Sequence, residues 1–516
     1  MIKLFDRRRA RLMAGLLMVA LVQLTATITV AHALHGSGQR FLGLAVVAAV
    51  TAFACEAMLR RLTEGLGLDY TSALRDTLFR HLMSVEPGIV ARRRHGAMLQ
   101  SFVGDLTALR QWVAEGIMRG VLALIALTGL LGWLVAANPQ LGLRAAAIIV
   151  ATCLAGATFL PALSHSVRTV RRERGSVAAF ASERLSASAT VYACGRIRPE
   201  ANRLSRRVAR LNQASLRRAW LTGLLRALPH LATTAIVICA AWPGADAPQG
   251  GLAGLVLAIG IIGVALRDLA RAAELAVPGL ISLRRIEGLL ALPRMTRPTA
   301  QPWTRGEVRM LVLEDLRLHE EAAPLNGKAE AGDVILVMGD AALRRALFRT
   351  MAGLESPLGG VLRWNGADLA ALPPSRRRRF VGLASPDLPL LAASDGFNLR
   401  YRLPEATAED MAHLARSWSI DPEARTAPPA RLMLARALLG RPPVLLLAPD
   451  DASLDETDAT RLVAAIAHWP GVVLMASSRP QLCRTATRQW SLSSAGLHEA
   501  GLPKAALVPV AEETAA

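Results

Sequence analysis

Aromatic residues make up only 4% of this 516-residue chain and charged residues only 19%, while 52% are hydrophobic. Soluble domains carry about 25% charged residues, so this balance excludes an ordinary soluble protein. Cysteine is also sparse. Cys55, Cys153, Cys194, Cys239 and Cys483 stand far apart with no C-x-x-C spacing. That pattern excludes a disulfide framework and a zinc module, and it suits a reducing compartment. Acidic residues are outnumbered 40 to 60, leaving a formal charge of +20 carried almost wholly by Arg. Such an excess can serve nucleic acid, but here the arginines gather between long apolar runs, as the positive-inside rule of membrane proteins requires. No nucleic-acid partner is expected. Nor is a cleavable signal peptide, because the apolar run after Arg7-Arg8-Arg9 is long enough to span a bilayer.

What the chain does have is six apolar runs, near residues 12–34, 41–59, 119–137, 142–162, 219–242 and 250–267. Each is about the length needed to cross a bilayer core, the last being shorter and rich in Gly. The segments after runs two and four are long and dense in Arg. They include Arg92-Arg93-Arg94 and the series Arg196, Arg198, Arg203, Arg206, Arg207, Arg210, Arg217 and Arg218. This asymmetry places the N-terminus and both long segments in the cytoplasm. Apolar residues recur there at helical spacing, Leu78, Leu82 and Val85 in one segment and Leu204, Val208 and Leu211 in the other. The membrane helices are therefore expected to run on as cytoplasmic extensions. Gln23 and Glu56 are polar positions within the runs. An intramembrane carboxylate is a candidate functional group, but Arg60 one turn on makes an i,i+4 ion pair the simpler reading.

A break at Pro293-Arg294-Met295-Thr296-Arg297-Pro298 ends the apolar half. The spacing divides the chain into a membrane domain over 1–292, a linker over 293–306, an α/β domain over 307–501 and a disordered tail over 502–516. Short apolar strands are expected at Val308–Leu313, Val334–Val337, Val381–Leu383, Val444–Leu447 and Val472–Met475. Their alternation with helices argues for a largely parallel sheet. Around Gly339 the chain passes from a buried strand into an amphipathic helix carrying Leu343, Leu347, Met351 and Leu354. That is the frame of a phosphate-binding loop. Asp450, Asp451, Asp455 and Asp458 could suggest a metal cluster, but a strand exit and a helix capped by Asp455 or Thr457 fit them better. The run Arg376-Arg377-Arg378-Arg379 reads as a solvated face.

Taken in order, these features resemble an ABC exporter half-transporter over nearly the whole chain. His95-Gly96-Ala97-Met98-Leu99 through Asp105, and Tyr192-Ala193-Cys194-Gly195-Arg196 through Glu200, resemble the family's two cytoplasmic coupling regions. Met351 through Gly360 is similar to the stretch after its P-loop, and Leu434-Ala435-Arg436-Ala437-Leu438-Leu439 to the helix after its signature. Val444-Leu445-Leu446-Leu447, followed by Ala452-Ser453-Leu454-Asp455, is similar to its Walker B strand and D-loop. The resemblance implies a multi-domain membrane protein, an all-α six-helix transmembrane domain followed by an α/β P-loop-like nucleotide-binding domain. It also implies a homodimer or a heterodimer with another half-transporter, set in a bacterial-type inner membrane with the nucleotide-binding domain in the cytoplasm. ATP would be the ligand of such a domain, and the transported substrate is not legible.

At the functional positions the chain departs from the family. The P-loop lysine falls at Arg344, the magnesium-binding hydroxyl at Arg345 and the preceding glycine at Leu343. Arg345 cannot ligate Mg²⁺, which requires oxygen donors. The Walker B aspartate falls at Ala448, the catalytic glutamate at Pro449 and the switch histidine at Ser478. The signature reads Ala424-Arg425-Thr426-Ala427-Pro428, the Q-loop reads Ser385-Pro386, and no aromatic residue near Leu316-Arg317-Leu318-His319 stacks on an adenine. No catalytic residue and no metal ligand is therefore assigned, Mg²⁺ is not expected, and Gly339, Arg344 and Arg345 mark a vestigial phosphate loop. A pseudo-ATPase half-transporter follows. The alternatives are a non-transporting scaffold or regulator that keeps the exporter fold, and a weak ATP-driven exporter with unusual motifs.

Overall fold

The computed structural model describes residues 7–33, 39–91, 98, 101–241, 252–295 and 309–501. Most of the expected linker, the 502–516 tail, most of the turns after the first and fifth apolar runs, Arg92-Arg93-Arg94, and residues 95–97 and 99–100 of the expected first coupling region lie outside the described residues. The chain divides into two compact units. One comprises Met1–Met83 with Arg93–Leu292, the other Ser84–Arg92 with Pro293–Ala516.

The first unit is built on six long helices: α1 (Arg7–Ala33), α2 (Gln39–Leu82), α3 (Ser101–Ala137), α4 (Pro139–Ser186), α5 (Ile197–Ala241) and α6 (Leu252–Leu290). Among the described residues the first five contain stretches long and apolar enough to cross a membrane. The sixth expected crossing begins α6, where residues 250–251 fall outside the described set. At 1.5 Å per residue, the 48 residues of α4 measure about 72 Å, more than twice a bilayer core of about 30 Å. Asn138 caps α4 by accepting the Leu141 N–H at 3.0 Å, and Pro139 at the first helical position needs no donor partner. A short helix, Ser188–Ala193, and a left-handed Gly195 join α4 to α5 at the second coupling region.

One core joins Leu16, Leu66, Leu78, Leu109 and Ile286 of α1, α2, α3 and α6, and another joins Leu130, Ala145, Ile236 and Ile262 of α3 to α6. Phe53, Leu154 and Leu231 are exposed on the outside of the helices, as suits a lipid-facing surface. The helical spacing expected through Val85 stops short. Helix α2 ends at Leu82, and Val85 instead bridges Arg294 in the second unit. Pro87 is the reason, since a residue preceding proline is driven out of the helical region.

The second unit contains two sheets. Strands β1 (Met310–Arg317), β2 (Leu325–Glu330), β4 (Gly359–Trp364) and β5 (Ala367–Asp368) form an antiparallel sheet in the order β2-β1-β4-β5. Strands β3 (Val334–Gly339), β6 (Val381–Ala384), β7 (Val444–Leu447), β8 (Val472–Met475), β9 (Arg488–Ser493) and β10 (Gly496–Gly501) form the other, in the order β10-β9-β3-β8-β7-β6. All its pairings are parallel except β9 with β10. The five expected strands are present, and the parallel core is where the apolar runs placed it. The flanking strands β2, β4, β5, β9 and β10 are additional.

Helix α7 (Ala341–Ala352) lies between the sheets, burying Leu343, Leu347, Phe348 and Met351 against Leu311, Leu313, Leu362 and Trp364. After the short helix α8 (Pro374–Phe380) come α9 (Asp395–Arg400), α10 (Ala408–Ser417), α11 (Pro429–Leu438) and α12 (Glu456–Ile466). Helices α11 and α12 pack on the opposite face of the parallel sheet, through Leu434, Ala437, Leu462 and Ile466.

Candidate functional site

Strand β3 is held between β8 and β9, and its Val334, Ile335, Leu336 and Val337 are all buried. Gly339 ends it at φ +91°, and a Cβ there would come within 2.0 Å of the Leu492 carbonyl oxygen. Only glycine fits. A single residue, Asp340, then separates the strand from α7. Its N–H donates to Leu492 O at 3.0 Å, and its carboxylate accepts the N–H groups of Ala342 at 2.7 Å and Leu343 at 3.3 Å. These are helix-opening donors of the kind that elsewhere hold a phosphate. Here the chain's own carboxylate takes them, with the favourable charge for a helix start.

The three residues singled out at this turn have separate surroundings. Gly339 makes the turn itself. Arg344 is half-buried and forms no ion pair among the described residues. Arg345 reaches from the first turn of α7 to Asp387, donating from Nε at 3.1 and 3.0 Å to its two oxygens. Arg349 joins it, giving 3.0 Å to Asp387 and 2.6 Å to Glu355. The Arg345 hydrogen bond holds the Asp387 carboxyl below the usual carboxylate range, and Asp387 in turn raises Arg345. A carboxyl lowered by folding stabilises the fold at pH values above its unfolded pKa of about 3.9, and that contribution is lost as pH falls through the lower folded value. Melting of the Asp387→Asn protein is thus expected to be less sensitive to acid over the range below pH 4 than that of the native chain.

The exits of β7 and β8 are tied together in the same way. Ala448 and Pro449 leave β7, and two residues on, the Asp451 carboxylate accepts from Ser477 Oγ at 2.7 Å, Ser478 N at 2.6 Å and Ser478 Oγ at 2.8 Å. Arg479 donates to the Asp451 carbonyl at 2.8 Å. Asp455 caps α12 by accepting the Asp458 N–H at 2.6 Å, while the Asp458 carboxylate receives Arg431 of α11 and Arg461. Each acid of the run is therefore engaged. Among the described residues no group of three or more His, Cys, Asp or Glu is placed to hold a metal ion.

The Ala424–Pro428 turn opens α11. Asp395, only 4% exposed, accepts the N–H groups of Thr426 at 3.1 Å and Ala427 at 2.9 Å, and its own N–H donates to Ala424 O. The arginine run differs from its expected form. Arg377 is buried, donating to Ala370 O and Leu372 O, and its guanidinium fills the space a Cβ on Gly353 would need. Its neighbours Arg376 and Arg379 are exposed and Arg378 is half-buried, and Arg378 and Arg379 both pair with Glu405. Another cation, Arg402, goes unremarked in the sequence. It donates to the carbonyls of Arg436, Arg378 and Leu439, and burial pulls its guanidinium down to about 10.

Sequence reasoning passed over Asp340, Asp387 and Asp395, carboxylates that organise these turns, and read Asp451 only as part of a strand exit. Asp340 had a visible signal, an N-cap residue directly before an amphipathic run. The partners of the other three lie far along the chain, and nothing local announces those contacts.

Residues 10–247 match the family model of the ABC transporter transmembrane region. The chain is also 33% identical over 172 residues to the cytochrome c biogenesis ATP-binding export protein CcmA of Bordetella parapertussis, spanning 30% of this chain and 76% of that protein. The CcmA of Bordetella bronchiseptica matches with the same identity and coverage. The chain belongs to the ABC transporter family. The likeness of fold extends over both units, since a bacterial Atm1-family ABC exporter, solved with ATP bound, aligns with a TM-score of 0.81 at 17% identity, covering 96% of each chain. This ABC transporter chain therefore has the architecture of an exporter half, a helical membrane domain followed by an α/β domain.

Proposed function

We propose that this chain is one half of a dimeric ABC exporter-like complex whose nucleotide-binding domain is a pseudo-ATPase. The observation that carries the proposal is the turn at Asp340, where the N–H groups of Ala342 and Leu343 bond to the Asp340 carboxylate. A phosphate brought there would meet a fixed negative charge in place of free donors. The remaining groups do not fit a magnesium nucleotide either. Arg345 stands where a hydroxyl would ligate the metal and is tied to Asp387, while Ala448 and Pro449 offer no carboxylate to hold a water or accept its proton. The related CcmA proteins are described as ATP-binding, and this chain departs from that description at the positions through which the family binds ATP.

Pairing with a competent half does not restore the lost groups. In the family arrangement each P-loop meets the partner's signature, so a partner's ATP would face Thr426 and Ala427, whose N–H groups bond to Asp395. This also favours the second reading, a scaffold or regulator that keeps the exporter fold without driving transport. The concentration of Arg in the long segments supports an orientation with the N-terminus and the α/β domain in the cytoplasm, across a bacterial-type inner membrane. The test is steady-state ATP turnover by the purified full chain in lipid nanodiscs. The expected result is turnover no greater than that of empty nanodiscs, whereas magnesium-dependent hydrolysis that copurifies with the chain would overturn the proposal.

A further inference from the structure

Gln23 and Glu56 are brought together in the structure, although 33 residues separate them. They share one wall of a cleft of about 130 Å³ among α1, α2, α3 and α6, whose polar lining also includes Thr27, Arg60, Arg119 and Asp268. Glu56 accepts from Arg60 Nε at 3.1 Å and from Gln23 Nε2 at 3.3 Å. Arg119 and Asp268 face each other at 3.9 Å, and among the described residues neither side chain makes a hydrogen bond.

Ion pairs that tie neighbouring helices of this unit together are closer. Arg226 meets Glu274 at 2.7 Å and Arg271 meets Glu115 at 2.8 Å, both with two hydrogen bonds from the guanidinium. The Arg119–Asp268 pair is left open by comparison. A guanidinium fork and a carboxylate thus retain unused hydrogen-bonding capacity inside a cleft of mixed polar and apolar lining. Charged groups are rare within membrane segments, and those that face a cavity pair with one another and mark substrate or ion paths.

The chemistry of the lining selects the ligand. Two acids and two bases give no net charge, so a purely anionic or cationic guest would leave charges of one sign desolvated and unmatched. A guest carrying both a carboxylate and an ammonium group meets both. The volume is equivalent to about four water molecules at ~30 Å³ each, and well below the roughly 300–1,000 Å³ of drug-sized pockets. We propose that this cleft binds a small zwitterion of the α-amino-acid type, its carboxylate on Arg119 and its ammonium between Asp268 and Glu56. The proposal stands apart from the nucleotide reading, because every group it uses lies in the membrane unit.

The experiment measures equilibrium binding of L-alanine, propionate and ethylamine to the full chain in nanodiscs, each probe used alone. L-alanine is expected to bind saturably, and propionate and ethylamine at least about tenfold more weakly, the loss of one charge-assisted contact. Arg119→Gln and Asp268→Asn are each expected to weaken L-alanine by roughly tenfold or more, while Arg226→Gln, outside the cleft, leaves it unchanged. Absence of saturable L-alanine binding to the native chain overturns the proposal. So does equal binding of propionate or ethylamine, and these comparisons need no variant to fold.

Discussion

Asp458→Ala is expected to destabilise the α/β domain by about 3 kcal/mol, the lower end of what breaking a buried ion pair costs. Asp458 is 2% exposed, and its carboxylate receives Arg431 Nε at 2.8 and 3.0 Å and Arg461 at 3.2 Å. Removal leaves two guanidinium groups partly buried in the contact between α11 and α12, with Arg431 retaining only the exposed Asp455 carboxylate. Desolvation of the stranded charges dominates the loss of the bonds themselves. Chemical unfolding monitored in the second unit measures the effect. Asp458→Asn, which keeps the shape and an acceptor, is expected to lose less. A variant as stable as the native chain would show that the arginines find water or other acceptors without penalty.

A comparable loss is expected in the membrane unit from Asp105→Ala. Asp105 is also 2% exposed, and it joins three helices at the start of α3. Its Oδ1 accepts from Ser282 Oγ of α6 at 2.9 Å and from Arg171 of α4 at 3.4 Å. Arg171 donates onward to the Pro278 carbonyl at 3.2 Å and to Ser282 Oγ at 3.0 Å. These two remaining bonds partly satisfy the cation, which keeps the expected loss near about 3 kcal/mol in place of the 5 kcal/mol upper value. The readout is thermal unfolding of the detergent-solubilised chain, with Arg110 as a comparison site. Its partner Glu64 is half-exposed, and an exposed pair contributes about 1 kcal/mol or less. Equal shifts for Asp105→Ala and Glu64→Ala would contradict this account of the buried network.

The unequal legibility of the chain follows from the range of its interactions. Apolar run length and Arg placement are local properties of sequence, so the long membrane helices and the parallel strands from Val334 to Met475 could be read directly. Strands β9 and β10 lack that signal. Arg488-Gln489-Trp490-Ser491-Leu492-Ser493 buries only Trp490 and Leu492, alternating on the edge side of the sheet. The end of α2 was missed because helical spacing through Val85 was weighed without the proline two residues on. Arg377 was missed because four consecutive arginines look solvated, and only the fold brings the Ala370 and Leu372 carbonyls to meet one of them.

At the candidate site, the residues at the positions the resemblance points to, Leu343, Arg344, Arg345, Ala448, Pro449 and Ser478, were plain in the sequence. What fills the space was not. Asp387 lies 42 residues beyond Arg345, and Asp395 lies 31 and 32 residues before the N–H groups it accepts. Together with Asp340 and Asp451, these acids close their loops into self-contained turns. That is a physical reason for the sheet and α7 to persist without a nucleotide, since Leu347 and Met351 remain fully buried between the two sheets.

The central claim, that this domain no longer holds a nucleotide, is tested most directly by equilibrium titration of magnesium ATP into the full chain in nanodiscs. The account predicts no saturable binding at millimolar nucleotide and no change when Asp340 is replaced by asparagine. Saturable binding in the micromolar range, weakened by substitution at Arg344 or Arg345, would contradict it.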